Sequence, residues 1–261
     1  MRLAFYKYHG AGNDFVLADN RDLQFPADNI SYIERLCDRR FGIGADGLML
    51  LQRCEGYDFE MRYFNSDGRE ASMCGNGGRC IVAFARQLGI IDDKAIFLAV
   101  DGPHEATLEP DGDVNLKMSD VTGVEASGNE YYLNTGSPHF VRFLDSLDGL
   151  DVFSEGKSVR YSERFREKGT NVNFVQQNGM HLKVYTYERG VEAETLACGT
   201  GITASALSAA LRSGADKGLY TVSAKGGNLS VSFEKSASGF TNIWLKGPAA
   251  FVFEGVLNPE F

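Results

Sequence analysis

Two cysteines in this chain stand in matching settings. Cys74 opens the run Cys74-Gly75-Asn76-Gly77, and Cys198 opens Cys198-Gly199-Thr200-Gly201. Each is followed at once by apolar residues at helical spacing: Ile81, Val82, Phe84, Ala85 and Leu88 after the first, and Ala204, Ala206, Leu207, Ala210 and Leu211 after the second. A cysteine on the lip of a helix faces amides that have no intrahelical partner and carry the positive end of the dipole. Such amides stabilise a thiolate, moving a thiol of pKa about 8.5 towards neutrality. They also hold carboxylates and phosphates.

Three uses of such a pair are open. The thiols can join in a structural or regulatory disulfide, or each can be a small buried hydrophobe placed there by coincidence. The third use is proton transfer. Inverting a carbon stereocentre without a cofactor requires a base on one face and an acid on the other, and a thiolate/thiol pair does this in either direction by exchanging states. A group titrating near ambient pH is best suited to that work. The same amides can bind the substrate carboxylate and the enolate-like charge that develops as the α-proton leaves. Duplication of the Cys-Gly-x-Gly device argues against coincidence.

The repeat extends beyond the two cysteines, whose separation is 198 − 74 = 124 residues. At the same offset Tyr63 meets Tyr187, Glu70 meets Glu194, Tyr8 meets Tyr132, Gly12 meets Gly136, and polar Asn13 meets polar Ser137. The chain therefore reads as two similar halves, each supplying one cysteine at a helix N-terminus.

Length and composition set the limits. At 261 residues the chain is long enough for two domains or one large one. A net charge of −9 with no Lys/Arg cluster argues against binding a phosphate backbone, so no nucleic acid partner is expected. No apolar stretch approaches the roughly 20 residues of a membrane helix, and the N-terminus has no secretory apolar core. A cytoplasmic protein without a membrane partner is expected. The five cysteines (37, 54, 74, 80, 198) fit reduced thiols better than a disulfide framework. Without CxxC or metal-ligand histidine spacing, no metal is expected.

The elements that must position these groups follow in order. Leu3 to Tyr8 and Phe15 to Ala18 read as strands around His9-Gly10-Ala11-Gly12-Asn13-Asp14, which a hairpin turn alone would explain. Residues 29 to 40 read as a helix with Asn29 or Ser31 as N-cap. Gly42-Ile43-Gly44-Ala45-Asp46-Gly47 has the letters of a dinucleotide fingerprint, but a helix precedes it and the strand Leu48 to Leu51 follows. That order is the reverse of a nucleotide-binding turn, which excludes NAD and FAD and leaves a loop near a ligand. Tyr57 to Phe64 is a strand feeding the turn Asn65-Ser66-Asp67-Gly68. Further strands run to Met118. A boundary falls near 119–126, and residues 145–169 read as a polar stretch. Strands at 170–175 and Leu182 to Tyr187 lead to the second cysteine, and the tail to Phe253 is strand and turn.

Together these motifs resemble the diaminopimelate epimerase family. Asn65-Ser66-Asp67-Gly68 … Cys74-Gly75-Asn76-Gly77-Gly78-Arg79 matches its first signature except at Arg69, where Ser is usual. Glu188-Arg189-Gly190 … Glu194-Thr195-Leu196-Ala197-Cys198-Gly199-Thr200-Gly201 matches the second. The opening GAGNDF, the GIGADG loop and Gly136-Ser137-Pro138-His139 are similar to that family too, so the resemblance spans most of the chain. It implies interconversion of LL- and meso-diaminopimelate without a cofactor, in lysine and peptidoglycan precursor synthesis. Cys74 and Cys198 would be the acid/base pair, and Gly75, Asn76, Gly199 and Thr200 would hold the reacting carboxylate. Asn13, Asn65, Asn171, Glu188 and Arg189 would contact substrate, with Arg189 suited to a distal carboxylate. His139 and Glu188 would sit beside the thiols and tune them, although a lone loop histidine is also often a structural residue.

Three departures bear on substrate detail. Ser137 stands where many members carry Asn, Gly47 where some carry Gln, and the segment Gly190 to Glu194 is one residue longer than usual. A related two-thiol architecture acts on proline or hydroxyproline, but such a substrate offers nothing for Arg189 to bind. A thiol redox sensor or a non-catalytic binding module is the reading from a different class.

The expected fold is α/β, with two pseudo-symmetric domains, each a curved, mostly antiparallel sheet wrapped around a central helix. Residues 1–120, completed by 252–261, would form one domain, and residues 121–251 the other, with the site in the cleft between. The expected ligand is diaminopimelate. The sequence leaves monomer and homodimer both open.

Overall fold

A computed structural model of the chain describes residues 2–71 and 73–258; Ser72 of the first motif and the last three residues of the expected return strand lie outside them. The chain divides into two compact units, Met1–Leu116 with Pro248–Phe261, and Lys117–Gly247.

In the first unit, β1 (Leu3–Gly10) and β2 (Asn13–Asp19) form a hairpin closed by Ala11 and Gly12. Both turn residues have positive φ (54° and 96°), as a two-residue turn between right-twisted strands requires. The predicted six-residue loop is thus shorter than expected, and Asn13 lies in a strand. After α1 (Ile30–Cys37), capped by the Asn29 side chain, β3 (Gly47–Gln52) joins β2 in parallel. Next come β4 (Phe59–Asn65), the short β5 (Glu70–Ala71) and α2 (Gly75–Gln87). The strands β6 (Lys94–Ala99), β7 (Gly102–Leu108) and β8 (Val114–Lys117) follow. The sheet order runs β1, β2, β3, β4, β6, β7, β8, and β19 (Ala250–Leu257) returns to the free side of β1.

β3 is buried along its whole length because both faces are covered. Leu48 and Leu50 pack with Ile33 and Leu36 of α1 in one apolar cluster. Met49 points the other way: a methyl group at Gly77 of α2 would lie 2.4 Å from its Cε. That explains why the sequence shows a continuous apolar run there rather than alternation. α2 contacts β1, β2, β3 and β7 and is buried along most of its length. Burying one of its side chains, Phe84 for example, contributes about 1.5–3 kcal/mol.

The second unit repeats this plan. β9 (Val121–Thr122) and β10 (Glu125–Ser127) precede the hairpin β11 (Glu130–Asn134) and β12 (Pro138–Phe143). Then come α3 (Val152–Arg160), β13 (Asn171–Asn178), β14 (His181–Glu188), β15 (Ala193–Thr195) and α4 (Gly199–Ser213). The unit finishes with β16 (Lys217–Ala224), β17 (Gly227–Ser236) and β18 (Gly239–Gly247). β13 joins β12 in parallel and β16 joins β14 in parallel, as β3 joins β2 and β6 joins β4. The correspondence is one of register. Phe15 pairs with Gly47, and 124 residues later His139 pairs with Asn171. The fold is the pseudo-symmetric α/β arrangement expected from the repeat.

α4 is the helix that its sheet surrounds, touching β11 to β14 and β16 to β18. It is apolar on every side, which only a fully sheathed helix tolerates. Its buried hydroxyls, Thr203, Ser205 and Ser208, donate to carbonyls one turn back at 3.0, 2.7 and 2.8 Å, so none is left unsatisfied. Gly214 ends it in the left-handed conformation (φ 69°).

α3 corrects the polar-stretch reading of 145–169. Asp151 caps it, and Val152, Gly156 and Val159 form a narrow buried stripe among Glu, Ser and Lys. Two buried apolar side chains on nine helical residues, with Phe153 exposed, gave too weak a period to detect. The offset of 124 from α1 would have revealed it. The longer turn after Glu188 returns Glu192 onto this helix, where its carboxylate accepts from the hydroxyls of Tyr161 and Tyr187 at 3.0 and 3.1 Å.

Gly156 lets α3 approach β14: a methyl group there would lie 2.3 Å from Cβ of Tyr187. Gly156→Ala should therefore lose about 1–3 kcal/mol of stability in denaturant titrations, despite the better helix propensity of alanine. A variant as stable as the parent would rule out this packing.

Candidate active site

Each cysteine is the N-cap of the sheathed helix of its unit. Cys74 is extended (φ −99°, ψ 134°), and its carbonyl accepts from Gly78 N–H at 2.7 Å. Cys198 is likewise extended (φ −115°, ψ 110°), and its carbonyl accepts from Ile202 N–H at 2.8 Å. In neither case does the side chain cap the helix, so the sulfur is not consumed in satisfying the first-turn amides. None of the five cysteines is paired in a disulfide. Burial pushes Cys37 and Cys80 up to about 12, which keeps them protonated and inert. Cys74 is half-buried, and Cys198 lies at the edge of burial with 9% of its surface exposed.

In the first unit the polar groups beside Cys74 form a chain with a fixed direction. The fully buried guanidinium of Arg79 donates to Oδ1 of Asn76 (2.9 Å) and to the carbonyl of Gly75 (3.2 Å). Asn76 Nδ2 then donates to Oδ1 of Asn13 (2.6 Å), and Asn13 Nδ2 donates to the Asp46 carboxylate (3.0 Å). A guanidinium only donates and a carboxylate only accepts, so the two ends dictate how both amides are turned. Beyond Asp46 lies an ion network. Burial alone would raise the carboxyl of Asp14, but hydrogen bonds and charge from Arg39 and Lys7 hold it down at about 2. The GIGADG loop reaches the site through Asp46, whereas Gly47 offers only backbone. Asn65 ends β4 opposite Gly47 and is exposed.

In the second unit His139 is completely buried. Its Nε2 lies 2.9 Å from both Ser137 Oγ and Thr200 Oγ1, and Thr200 Oγ1 lies 3.4 Å from the sulfur of Cys198. His139 therefore reaches Cys198 through a hydroxyl rather than by standing directly against it. Asn171 accepts the backbone N–H of Arg189 at 2.8 Å and donates to Ser137 Oγ at 3.2 Å. Glu188 is the half-buried last residue of β14, and the exposed Arg189 next to it donates to the carbonyl of Lys168 at 3.0 Å.

The predicted residues thus fall into two groups, each assembled within one unit. Asn13, Cys74, Gly75 and Asn76 gather at the start of α2, with Asn65 on the strand end opposite Gly47. His139, Asn171, Glu188, Arg189, Cys198, Gly199 and Thr200 gather at the start of α4 and the end of β14. The bond between Asn13 and Asn76 recurs 124 residues later between Ser137 and Thr200, whose hydroxyls are 3.2 Å apart. Sequence reasoning missed Arg79, Asp46, Thr135 and Asn173. Asn173 is wholly buried and its Nδ2 lies 3.0 Å from His139 Nδ1, while the Thr135 hydroxyl donates to the carbonyl of Thr200 at 2.8 Å. Asn173 had a readable signal: two asparagines at alternate positions of an apolar strand, Asn171-Val172-Asn173, have to find partners inside.

Gly201 is required here, because a Cβ would fall 2.3 Å from Oδ1 of Asn173. Desolvation, with Arg189 adding repulsion, pushes His139 from 6.5 down to about 3. The folded state keeps the ring neutral, whereas the unfolded chain protonates it near the ordinary value. The unfolded state then binds the extra proton, so this contribution is complete above about pH 6.5 and is lost as pH falls towards about 3. Denaturant titrations between about pH 7 and about pH 5 should show stability falling with a limiting slope near 1.4 kcal/mol per pH unit from this residue. His139→Gln should remove that component; an unchanged slope would place the proton elsewhere.

Comparison with known proteins bears on the family of the chain. The sequence model of the diaminopimelate epimerase family matches residues 5–124 and 131–252. A diaminopimelate epimerase of Flavobacterium psychrophilum is 51% identical over 253 residues, covering 97% of this chain and 99% of that protein. Another, of Chlorobaculum tepidum, is 41% identical over 259 residues, covering 95% and 98%. Among solved structures, a phenazine biosynthesis protein of the PhzF family from Bacillus anthracis superposes with a TM-score of 0.71 at 13% identity, covering 99% of each chain. A hydroxyproline epimerase from Agrobacterium vitis does so with 0.70 at 13% identity, covering 98% of this chain and 91% of that one. At such identities the structures share the fold alone, whereas the sequence matches reach further: the chain belongs to the diaminopimelate epimerase family.

Proposed function

We propose that the chain is a cofactor-independent epimerase that interconverts LL- and meso-diaminopimelate by two-base proton transfer, supplying lysine and peptidoglycan precursor synthesis. The observation that carries this reading is the pair of cysteines, each the N-cap of its unit's buried helix, each with its sulfur left out of capping, at equivalent positions of a repeated fold. Family membership supplies the substrate class.

In this reading one cysteine enters each turnover as thiolate and the other as thiol. The thiolate takes the α-proton from one face, and the thiol delivers its proton to the opposite face. The pair ends with its states exchanged, ready for the reverse reaction. The amides of Gly75, Asn76, Gly199 and Thr200 face the reacting carboxylate and the negative charge that grows on it. Asn13, Asn65, Asn171, Glu188 and Arg189 bind the rest of the substrate. Arg189 takes the distal carboxylate, the feature that separates diaminopimelate from proline. The reading requires both sulfurs to reach one α-carbon.

Two measurements test it. In deuterated water the enzyme should exchange the α-hydrogen of diaminopimelate and leave proline untouched, and Cys74→Ala and Cys198→Ala should each lower epimerisation by at least about 10²–10⁴-fold. Substantial turnover in either variant would remove the two-thiol assignment. Arg189→Ala should raise KM for diaminopimelate strongly with a smaller effect on kcat; an unchanged KM would refute its distal-carboxylate role.

A further inference from the structure

The groups behind Cys198 form a hydrogen-bond cluster whose direction is fixed by atoms that have no choice of role. Asn173 Nδ2 faces the carbonyl of Phe140 at 3.1 Å, and a carbonyl can only accept, so the NH₂ end of this amide is identified. Its Oδ1 consistently accepts from the hydroxyl of Thr186 at 2.9 Å. The second N–H of the same NH₂ lies 3.0 Å from Nδ1 of His139, which must therefore be the unprotonated nitrogen. A neutral ring with a bare Nδ1 carries its proton on Nε2. Asn171 is fixed in the same way, because its Nδ2 faces the carbonyl of Pro138 at 3.2 Å while its Oδ1 takes the Arg189 N–H at 2.8 Å.

The obligate donor His139 Nε2–H thus reaches the oxygens of both Ser137 and Thr200, while Asn171 Nδ2, 3.5 Å from Nε2, reaches Ser137 and the carbonyl of Pro138. Each hydroxyl accepts from behind and has one proton to pass forward. Of the three side chains that Thr200 Oγ1 faces among the described residues, Ser137, His139 and Cys198, the sulfur of Cys198 as a thiolate, at 3.4 Å, is the acceptor with no proton of its own. We propose that Asn173 is a positioning residue that locks His139 as a neutral Nε2–H donor, so that the Thr200 hydroxyl points its proton at the Cys198 thiolate and stabilises it. His139 in this arrangement carries no proton to or from substrate; it orients a hydroxyl. The low pKa of the ring agrees, since a histidine neutral down to about 3 holds a single donor proton throughout the working range. The charged or titratable groups gathered with the cluster are Glu188 and Arg189, at the end of β14, and Cys198 itself. The proposal uses this chain's Ser137, a hydroxyl small enough to sit between the His139 ring and Thr200. It rests on Cys198 acting as an acid/base group, but both tests below read the cluster without any substrate.

The first test is the tautomer of His139 in the unaltered protein, read from long-range ¹H–¹⁵N correlations of the histidine rings. The chain has only four histidines, so single replacements of His9, His104 and His181 assign the fourth by elimination. The expected result is a neutral ring protonated at Nε2 at neutral pH. Protonation at Nδ1, or an imidazolium, overturns the proposal. The second test is the pH dependence of Cys198 alkylation by iodoacetamide, followed by peptide mass spectrometry, with Cys74 as internal reference. Thr200→Val keeps the shape and removes the hydroxyl, and should move the Cys198 midpoint up by about one pH unit, or about tenfold less thiolate at a given pH. Thr200→Ser should restore the parent midpoint, and Cys74 should be unmoved in both. Asn173→Asp should draw the ring proton to Nδ1, so its Cys198 midpoint should rise as well. A Cys198 midpoint that ignores Thr200→Val overturns the proposal while leaving the two-thiol reaction standing. Loss of epimerisation with the cluster behaving as expected would fault the reaction instead.

Discussion

The constraint on which each unit depends is that a helix wrapped on its sides by its own sheet can meet a ligand only at an end. α2 and α4 are sheathed in this way, and their backbone N–H groups are satisfied internally except in the first turn, where geometry forbids it. That turn is where the chain spends its glycines and its cysteine. A thiol placed as N-cap but not bonded to the amides leaves those amides to a carboxylate and keeps the sulfur in the same positive field. In the proposed reaction one piece of backbone geometry would serve both the substrate carboxylate and the thiol.

The second requirement is order among buried polar groups. Both sites contain asparagine side chains whose two ends look alike in shape but are opposite in function. In the first unit the ambiguity is removed by an obligate donor, Arg79, at one end and an obligate acceptor, Asp46, at the other. In the second it is removed by backbone carbonyls, those of Phe140 and Pro138. Buried networks of this kind are costly when incomplete and specific when complete. Here completeness sets which way every donor near the sulfur points.

The two units share a plan but have diverged in chemistry. At the position where one has Asn76 the other has Thr200, and Asn13 is answered by Ser137, yet each pair is joined by a hydrogen bond. Behind them the first unit places a permanent positive charge, Arg79, and the second a neutral imidazole, His139. Phe15, the position equivalent to His139, is an ordinary core aromatic against Tyr63. The thiols are thus equivalent in backbone setting and different in their surroundings, as the proposed two-base reaction would require of groups that begin each turnover in opposite protonation states.

What the sequence determined by itself was whatever depends on local backbone chemistry and on repetition. A Cys-Gly-x-Gly run before an apolar periodic segment identifies a helix end, and its recurrence at an offset of 124 identifies two halves with one plan. Asn29 as a cap, and the helix before and strand after the GIGADG loop, are local in the same sense. α3 escaped because its buried stripe is two valines and a glycine, a pattern whose meaning lies in the Tyr187 ring it must clear. Arg79 and Asp46 escaped because a charged side chain gives no sign in one dimension of whether it ends in water or in a partner. Only the tertiary structure, by burying them and bringing strands from distant segments alongside, decided which donors and acceptors each would face, and through them which way the hydrogen bonds beside each sulfur run.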